Sequence, residues 1–203
     1  MPYLLILWFV ISGFVLDAQQ QVRLTWKNTP FALHKTFQLN DSTLVQIEQF
    51  KFYIEGINQP QQFIQLIDAS DESTWQWKGP TSALQVGIQA TLQTSGNFTG
   101  ALDPINGMYW AWNTGFISVK CVGSYIHIPS KIKQQFEYHL GGYKPPFECI
   151  KEIQGSGAIL ACDLSTWFNA IWQSDNKNRI IMQPSSASRA IFDQFTASFS
   201  YGQ

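Results

Sequence analysis

Beyond residue 21 the chain breaks into short apolar runs separated by glycine and proline turns, and this punctuation constrains the fold more than any other feature. Val22 to Trp26, Phe31 to Leu39, Leu44 to Ile57, Phe63 to Ile67, Leu84 to Ile88, Phe116 to Ile128 and Ile132 to Leu140 each read as strands. A parallel sheet needs a crossover helix between strands, and helix signals are too few here to supply them. The chain therefore predicts an all-β domain, a mostly antiparallel β-sandwich or partly open barrel with short C-terminal helices. Those helices start at capping residues. Asp163 or Ser165 precedes Trp167, Phe168, Ile171 and Trp172, and Ser185 or Ser186 precedes Ala190, Ile191 and Phe195.

The apolar positions carry further detail. In Leu44 to Ile57, Val45 and Ile47 lie on one phase, and Phe50, Phe52 and Ile54 on the other. A phase change inside one strand predicts a bulge or bend. In Ile132 to Leu140, Phe136, Tyr138 and Leu140 point inward, with Gln135, Glu137 and His139 on the opposite face. Thr94 to Asn113 reads as a long ordered loop with a short helical turn. Asp71 to Thr81 reads as a polar loop carrying Trp75 and Trp77. Phe147 to Ile153 and Ala158 to Cys162 read as a hairpin around Gly155-Ser156-Gly157.

The first residues have a different character. Tyr3 to Leu16 is nearly all apolar and is followed by Asp17, Ala18 and three glutamines. That length suits a signal-peptide core with cleavage after Ala18, and is short for a bilayer span. The expectation is a leader over residues 1–18, a single β domain over residues 22–203, and no transmembrane span in the mature chain. The compartment is then periplasmic or extracellular, including the cell surface.

Composition narrows function by exclusion. Thirteen basic residues against 14 acidic ones leave no block able to neutralise a run of phosphates, so nucleic acid is not a partner. Charged residues are only 13% of the chain while aromatics reach 15%, which fits an exported β domain and not a disordered one. No nucleophile elbow, phosphate loop, zinc-protease helix or calcium loop is present, so the expectation is a protein that is not an enzyme. Cys121, Cys149 and Cys162 do not have zinc spacing; export would permit one disulfide, and Cys149 with Cys162 is the favoured pair.

Two groups of residues could carry chemistry. The histidines are His34, His127 and His139, dispersed in sequence, and imidazole is a natural ligand for copper or zinc. The aromatics Tyr109, Trp110 and Trp112 crowd a Gly/Pro loop with Met108, and Trp75 and Trp77 form a second pair. Either tryptophan pair could stack on a ligand, such as a sugar face, or close the end of a core.

The central segment is the most distinctive. Residues 96–123 read GNFTGALDPINGMYWAWNTGFISVKCVG. With Phe52-Tyr53-Ile54, Leu66-Ile67-Asp68 and Val86-Gly87-Ile88 upstream and Tyr138-His139-Leu140-Gly141-Gly142 downstream, this run resembles the MbnP-like family of exported β proteins. The resemblance implies copper as the bound metal, held by histidine together with a kynurenine made by oxidising tryptophan. His139 lies in a matching segment and is the first metal ligand implied, with His127 as the second. Trp110 or Trp112 is the implied aromatic-derived site. The same resemblance implies a copper chelate or a dihaem peroxidase-like protein as partner, and association with the outer surface. The alternative is a non-enzymatic ligand-binding or structural β module, for a small metal complex or a glycan, with no metal site of its own.

Overall fold

A computed structural model describes residues 19–57, 63–89, 98–111 and 115–202. The expected leader and Trp112 lie outside the described residues. Among the described residues there are 14 strands and two α-helices. The strands are β1 (Gln19–Trp26), β2 (Thr29–Pro30), β3 (Thr36–Asn40), β4 (Thr43–Gly56), β5 (Ile64–Asp68), β6 (Gln76–Lys78), β7 (Ser82–Val86), β8 (Tyr109–Ala111), β9 (Gly115–His127), β10 (Ile132–Gly141), β11 (Lys151–Ser156), β12 (Ile159–Asp163), β13 (Ile180–Ile181) and β14 (Phe199–Gly202). The helices are α1 (Leu164–Gln173), between β12 and β13, and α2 (Ser186–Thr196), between β13 and β14.

The strands form two sheets. The larger runs β11-β7-β4-β9-β10-β13, with β3 and β5 on β4 and β8 on β9; the smaller runs β14-β12-β1-β2, with β6 also on β1. This is the mostly antiparallel open sandwich that the turn punctuation predicts. Two pairs are parallel, β1 with β12 and β10 with β13. Each joins strands separated by several other elements, so the long return needed for a parallel pair is supplied by the rest of the fold.

β4 is the spine. One edge takes β3 and then β5, and the other takes β9 and then β7. Its register against β9 shifts between Ile47 and Gln49, which leaves Glu48 as the extra residue of a bulge. The bulge turns Val45 and Ile47, then Phe50, Phe52 and Ile54, into one face, and all five are buried. That is the expected phase change. Their face packs against the smaller sheet and both helices in the main core. Phe50 and Phe52 meet Phe195 of α2 edge-on at 5.8 and 5.5 Å, and Phe50 meets Trp167 of α1 at 6.1 Å. Burying each such ring contributes about 1.5–3 kcal/mol.

Both helices begin where the sequence places them. Asp163 accepts from the Ser165 backbone N–H at 2.9 Å, and Ser185 accepts from that of Ser188 at 3.1 Å.

Several expectations are corrected. Phe31 to Leu39 is not one strand, because His34 adopts a left-handed conformation (φ 63°) in a turn between β2 and β3. Asp71 to Thr81 is not simply a polar loop; it holds a 3-10 turn (Glu72–Trp75) and β6. Trp77 is buried against Phe63, and the Trp75 indole N–H donates to the Asp68 carbonyl at 2.8 Å, so the pair is not an exposed stacking platform. β11 and β12 are not a hairpin. β11 pairs with β7, while β12 lies between β1 and β14. The favoured disulfide goes with that hairpin. All three cysteines are free and buried, with Cys149 Sγ beside Ser188 Oγ and Cys162 Sγ beside Ser198 Oγ. Burial pushes the Cys149 and Cys162 thiols up to about 12 and the Cys121 thiol well above its ordinary value, so none supplies a thiolate.

Candidate metal centre

The glycine- and proline-rich loop folds onto the face of the larger sheet that points away from the main core. Leu102, Met108, Phe116 and Ile117 join Tyr53 and Ile88 there in a second, smaller apolar cluster. Ile117 is therefore not in the main core with Val119 and Cys121, as its alternation alone predicts. The loop is built by local rules. Asp103 caps a 3-10 turn (Pro104–Asn106) by accepting from the Ile105 N–H, Pro104 sits at its first position, and Gly107 ends it in the left-handed conformation (φ 69°). The Asn106 side-chain amide donates to the Gly100 and Ala101 carbonyls, and the Tyr53 hydroxyl donates to Ala101 from the sheet below.

Two lysines fasten this turn to the sheet. Across it runs a row of paired residues: His139 on β10 opposite Lys120 on β9, Lys120 opposite Lys51 on β4, and Lys51 opposite Asp68 on β5. Lys51 Nζ is 2.7 Å from Asp68 and also donates to the Asn106 carbonyl, while Lys120 Nζ donates to that of Gly107. Burial would raise the Asp68 carboxyl, but its bonds from Lys51 and Ser70 outweigh that and hold it below the usual carboxylate range.

His139 ends the row. It is only 7% exposed, although its strand alternation places it away from the main core. Neither ring nitrogen has a hydrogen-bond partner; Nε2 is 3.0 Å from Glu137 Oε1 but is not aligned as a hydrogen bond. Burial lowers its pKa from 6.5, Glu137 opposes that shift and Lys120 adds to it. The ring is thus held neutral near pH 7, the form that binds metals. Trp110 reaches the same strand. A Cβ on Gly141 would lie 3.1 Å from Trp110 Cζ3, so the glycine makes room for the indole, whose buried Nε1 also lacks a partner. Met182 follows Ile181, the residue that pairs with Tyr138, and is 47% exposed.

The other residues singled out in the sequence lie elsewhere. His127 is exposed at the far end of β9, its Nδ1 2.9 Å from Ser130 Oγ. It is separated from Lys120, the partner of His139, by seven strand positions, or about 23 Å. His34 is exposed in its turn. The structure therefore does not bring His127 and His139 together. Among the described residues, no three His, Cys, Asp or Glu side chains gather as a metal cage. The donor that fits copper here is one buried neutral imidazole, and the unpartnered Trp110 indole lies against Gly141 of the same strand. Sequence reasoning missed Glu137 as the immediate neighbour of His139 and Lys120 as its cross-strand partner, although the strand alternation had put Glu137 and His139 on one face.

The family model described as MbnP matches residues 17–183. The chain belongs to the MbnP family. Membership makes it a non-catalytic, metal-associated protein. Among solved structures it is similar to MbnP from Methylosinus trichosporium, at 13% identity over 85% of this chain and 86% of that one, with a TM-score of 0.47. No curated protein matches it. Among the described residues, no helix is long and apolar enough to cross a membrane.

Proposed function

We propose that this MbnP-family protein is exported to the periplasm or cell surface and handles copper there, with His139 as the protein's imidazole ligand. The observation that carries the reading is the buried His139 ring, whose Nδ1 has no partner and whose Nε2 faces only Glu137 Oε1 at 3.0 Å, on the strand where Gly141 makes room for an unpartnered Trp110 indole. Leaving such groups buried and unsatisfied costs about 1–3 kcal/mol each, a cost that a bound metal or ligand removes.

One imidazole does not complete a copper site. The remaining donors come from a kynurenine formed at Trp110, from the Met182 thioether, or from a chelate that delivers the metal already part-coordinated. Thioether and imidazole both suit Cu(I). A copper chelate and a dihaem peroxidase-like protein, able to oxidise Trp110, are the partners that follow. Trp112 is the alternative position for that oxidation. His127, far along the sheet, is not required.

The experiment is an anaerobic Cu(I) competition titration of the mature chain. Replacing His139 with Ala should lower affinity at least tenfold, and His127→Ala should leave it unchanged. Equal affinity in wild type and His139→Ala would refute the assignment. Intact mass of the exported protein tests the kynurenine separately. Copper binding absent altogether in the wild type would favour a β module without a metal site of its own.

A further inference from the structure

The opposite end of the β9–β10 hairpin holds a groove that the copper reading does not use. The hairpin forms one wall, and the segment joining α1 to β13 forms the other; they enclose about 630 Å³. Its lining includes Tyr125, His127, Ser130, Trp172, Lys177 and Arg179, and neither Asp nor Glu is among the lining residues.

Arg179 is the centre of this groove. Its guanidinium lies 4.4 Å over the Trp172 ring. Trp172 is itself fixed, stacked on Phe168 at 5.6 Å and met edge-on by Tyr125 at 5.3 Å. The guanidinium therefore rests on a ring that is itself held by two others. Arg179 Nη1 donates to the Asn176 carbonyl at 2.7 Å and the guanidinium also faces the Tyr138 hydroxyl, which still leaves some of its five N–H donors for the groove. Lys177 Nζ spends one of its three on the Ser174 carbonyl at 2.8 Å. His127 engages Ser130 through Nδ1, which leaves Nε2 for the groove.

We infer that this groove binds a small organic oxyanion, a carboxylate or phosphate group on a body larger than the bare ion, with Arg179 and Lys177 as its anion contacts. A planar guanidinium held in place matches the two oxygens of such a group and loses little freedom on binding. Two permanent cations with no lining carboxylate leave the groove positive, and its volume is in the range of small-molecule sites. The groove residues of β10, Ile132 and Gln134, are at least five strand positions from His139, about 17 Å or more. This assignment does not rest on the copper reading.

The test is isothermal titration of the mature chain with citrate, glycerol 3-phosphate and inorganic phosphate, at fixed ionic strength with chloride as the balancing anion. Saturable binding of citrate or glycerol 3-phosphate, tighter than that of inorganic phosphate, is expected. Which of the two binds more tightly identifies the oxyanion. Arg179→Gln should weaken it at least tenfold, Arg179→Lys should restore only part, and His139→Ala should leave it unchanged. Lys177→Gln, exposed and away from the ring stack, provides a second reading should Arg179→Gln fail to fold, and should also weaken binding. No saturable heat at millimolar ligand, equal binding in folded Arg179→Gln and Lys177→Gln, or an affinity no better than that of inorganic phosphate would overturn the inference.

Discussion

Gly123 is a position at which the fold leaves no room for a side chain. It sits in the middle of β9, opposite Ile47 on β4 and opposite Phe136 on β10. The β4 bulge falls just beyond Ile47, and the bulged strand comes close. A Cβ on Gly123 would lie 2.2 Å from the Gln46 carbonyl oxygen, 2.6 Å from Phe136 Cζ and 3.0 Å from Ile47 Cα. Two of those three atoms are backbone of a strand paired along both edges, so rotating a side chain cannot relieve the clash. Either β4 moves away from β9 or the ladder breaks. Overpacking of this kind typically costs about 1–3 kcal/mol, and a clash with backbone belongs at the upper end, about 3 kcal/mol. For a domain of this size, about 2–4 °C is lost per kcal/mol, so Gly123→Ala should lower Tm by roughly 6–12 °C. Gly202→Ala is the control. Its new Cβ would be no nearer than 3.4 Å to Ile159 Cβ, and its effect should stay within about 0.5 kcal/mol. Thermal melts of the mature chain by far-ultraviolet circular dichroism measure both. A Gly123→Ala melt within 2 °C of wild type would refute the reasoning about the bulge.

Other outcomes follow from the same structure. Asp163 accepts from the Ser165 backbone N–H and hydroxyl and from the Lys27 N–H, so Asp163→Ala should cost about 1–2 kcal/mol in denaturant melts. The His139 pKa is depressed on folding, so the unfolded chain binds the extra proton first; stability should be full above pH 6.5 and fall as pH drops below it. His139→Gln should flatten that part of the pH profile in the metal-free protein, and an unchanged slope would show that the ring is not held neutral. The three buried thiols should be silent to Ellman's reagent in the native protein and all react once it is unfolded without reductant; fewer than three would reveal a disulfide.

Much of this was readable from residue order, because it depends on local periodicity. The switch in phase between Ile47 and Phe50 encodes the bulge, and the Asp163 and Ser185 caps mark where the helices start. The loop residues Asp103, Pro104 and Gly107 each do what their chemistry allows. What escaped depends on distant partners. Gly155 to Gly157 announces a turn between β11 and β12 but does not say that each strand pairs elsewhere. Alternation puts His139 outside the main core, yet only the packed loop shows that this second face is covered as well. The separation of His127 from His139 needs the β9–β10 register. The stack of Arg179 on Trp172 joins a strand end to a helix end and has no sequence signal at all.

The central claim is that His139 ligates copper. X-ray absorption on the Cu(I)-loaded, export-matured protein reads the ligand shell directly. The account predicts imidazole scattering from one histidine in the wild type and its loss in His139→Ala, with the fold intact. Imidazole scattering that persists in His139→Ala, or a copper shell with no imidazole in the wild type, would contradict it.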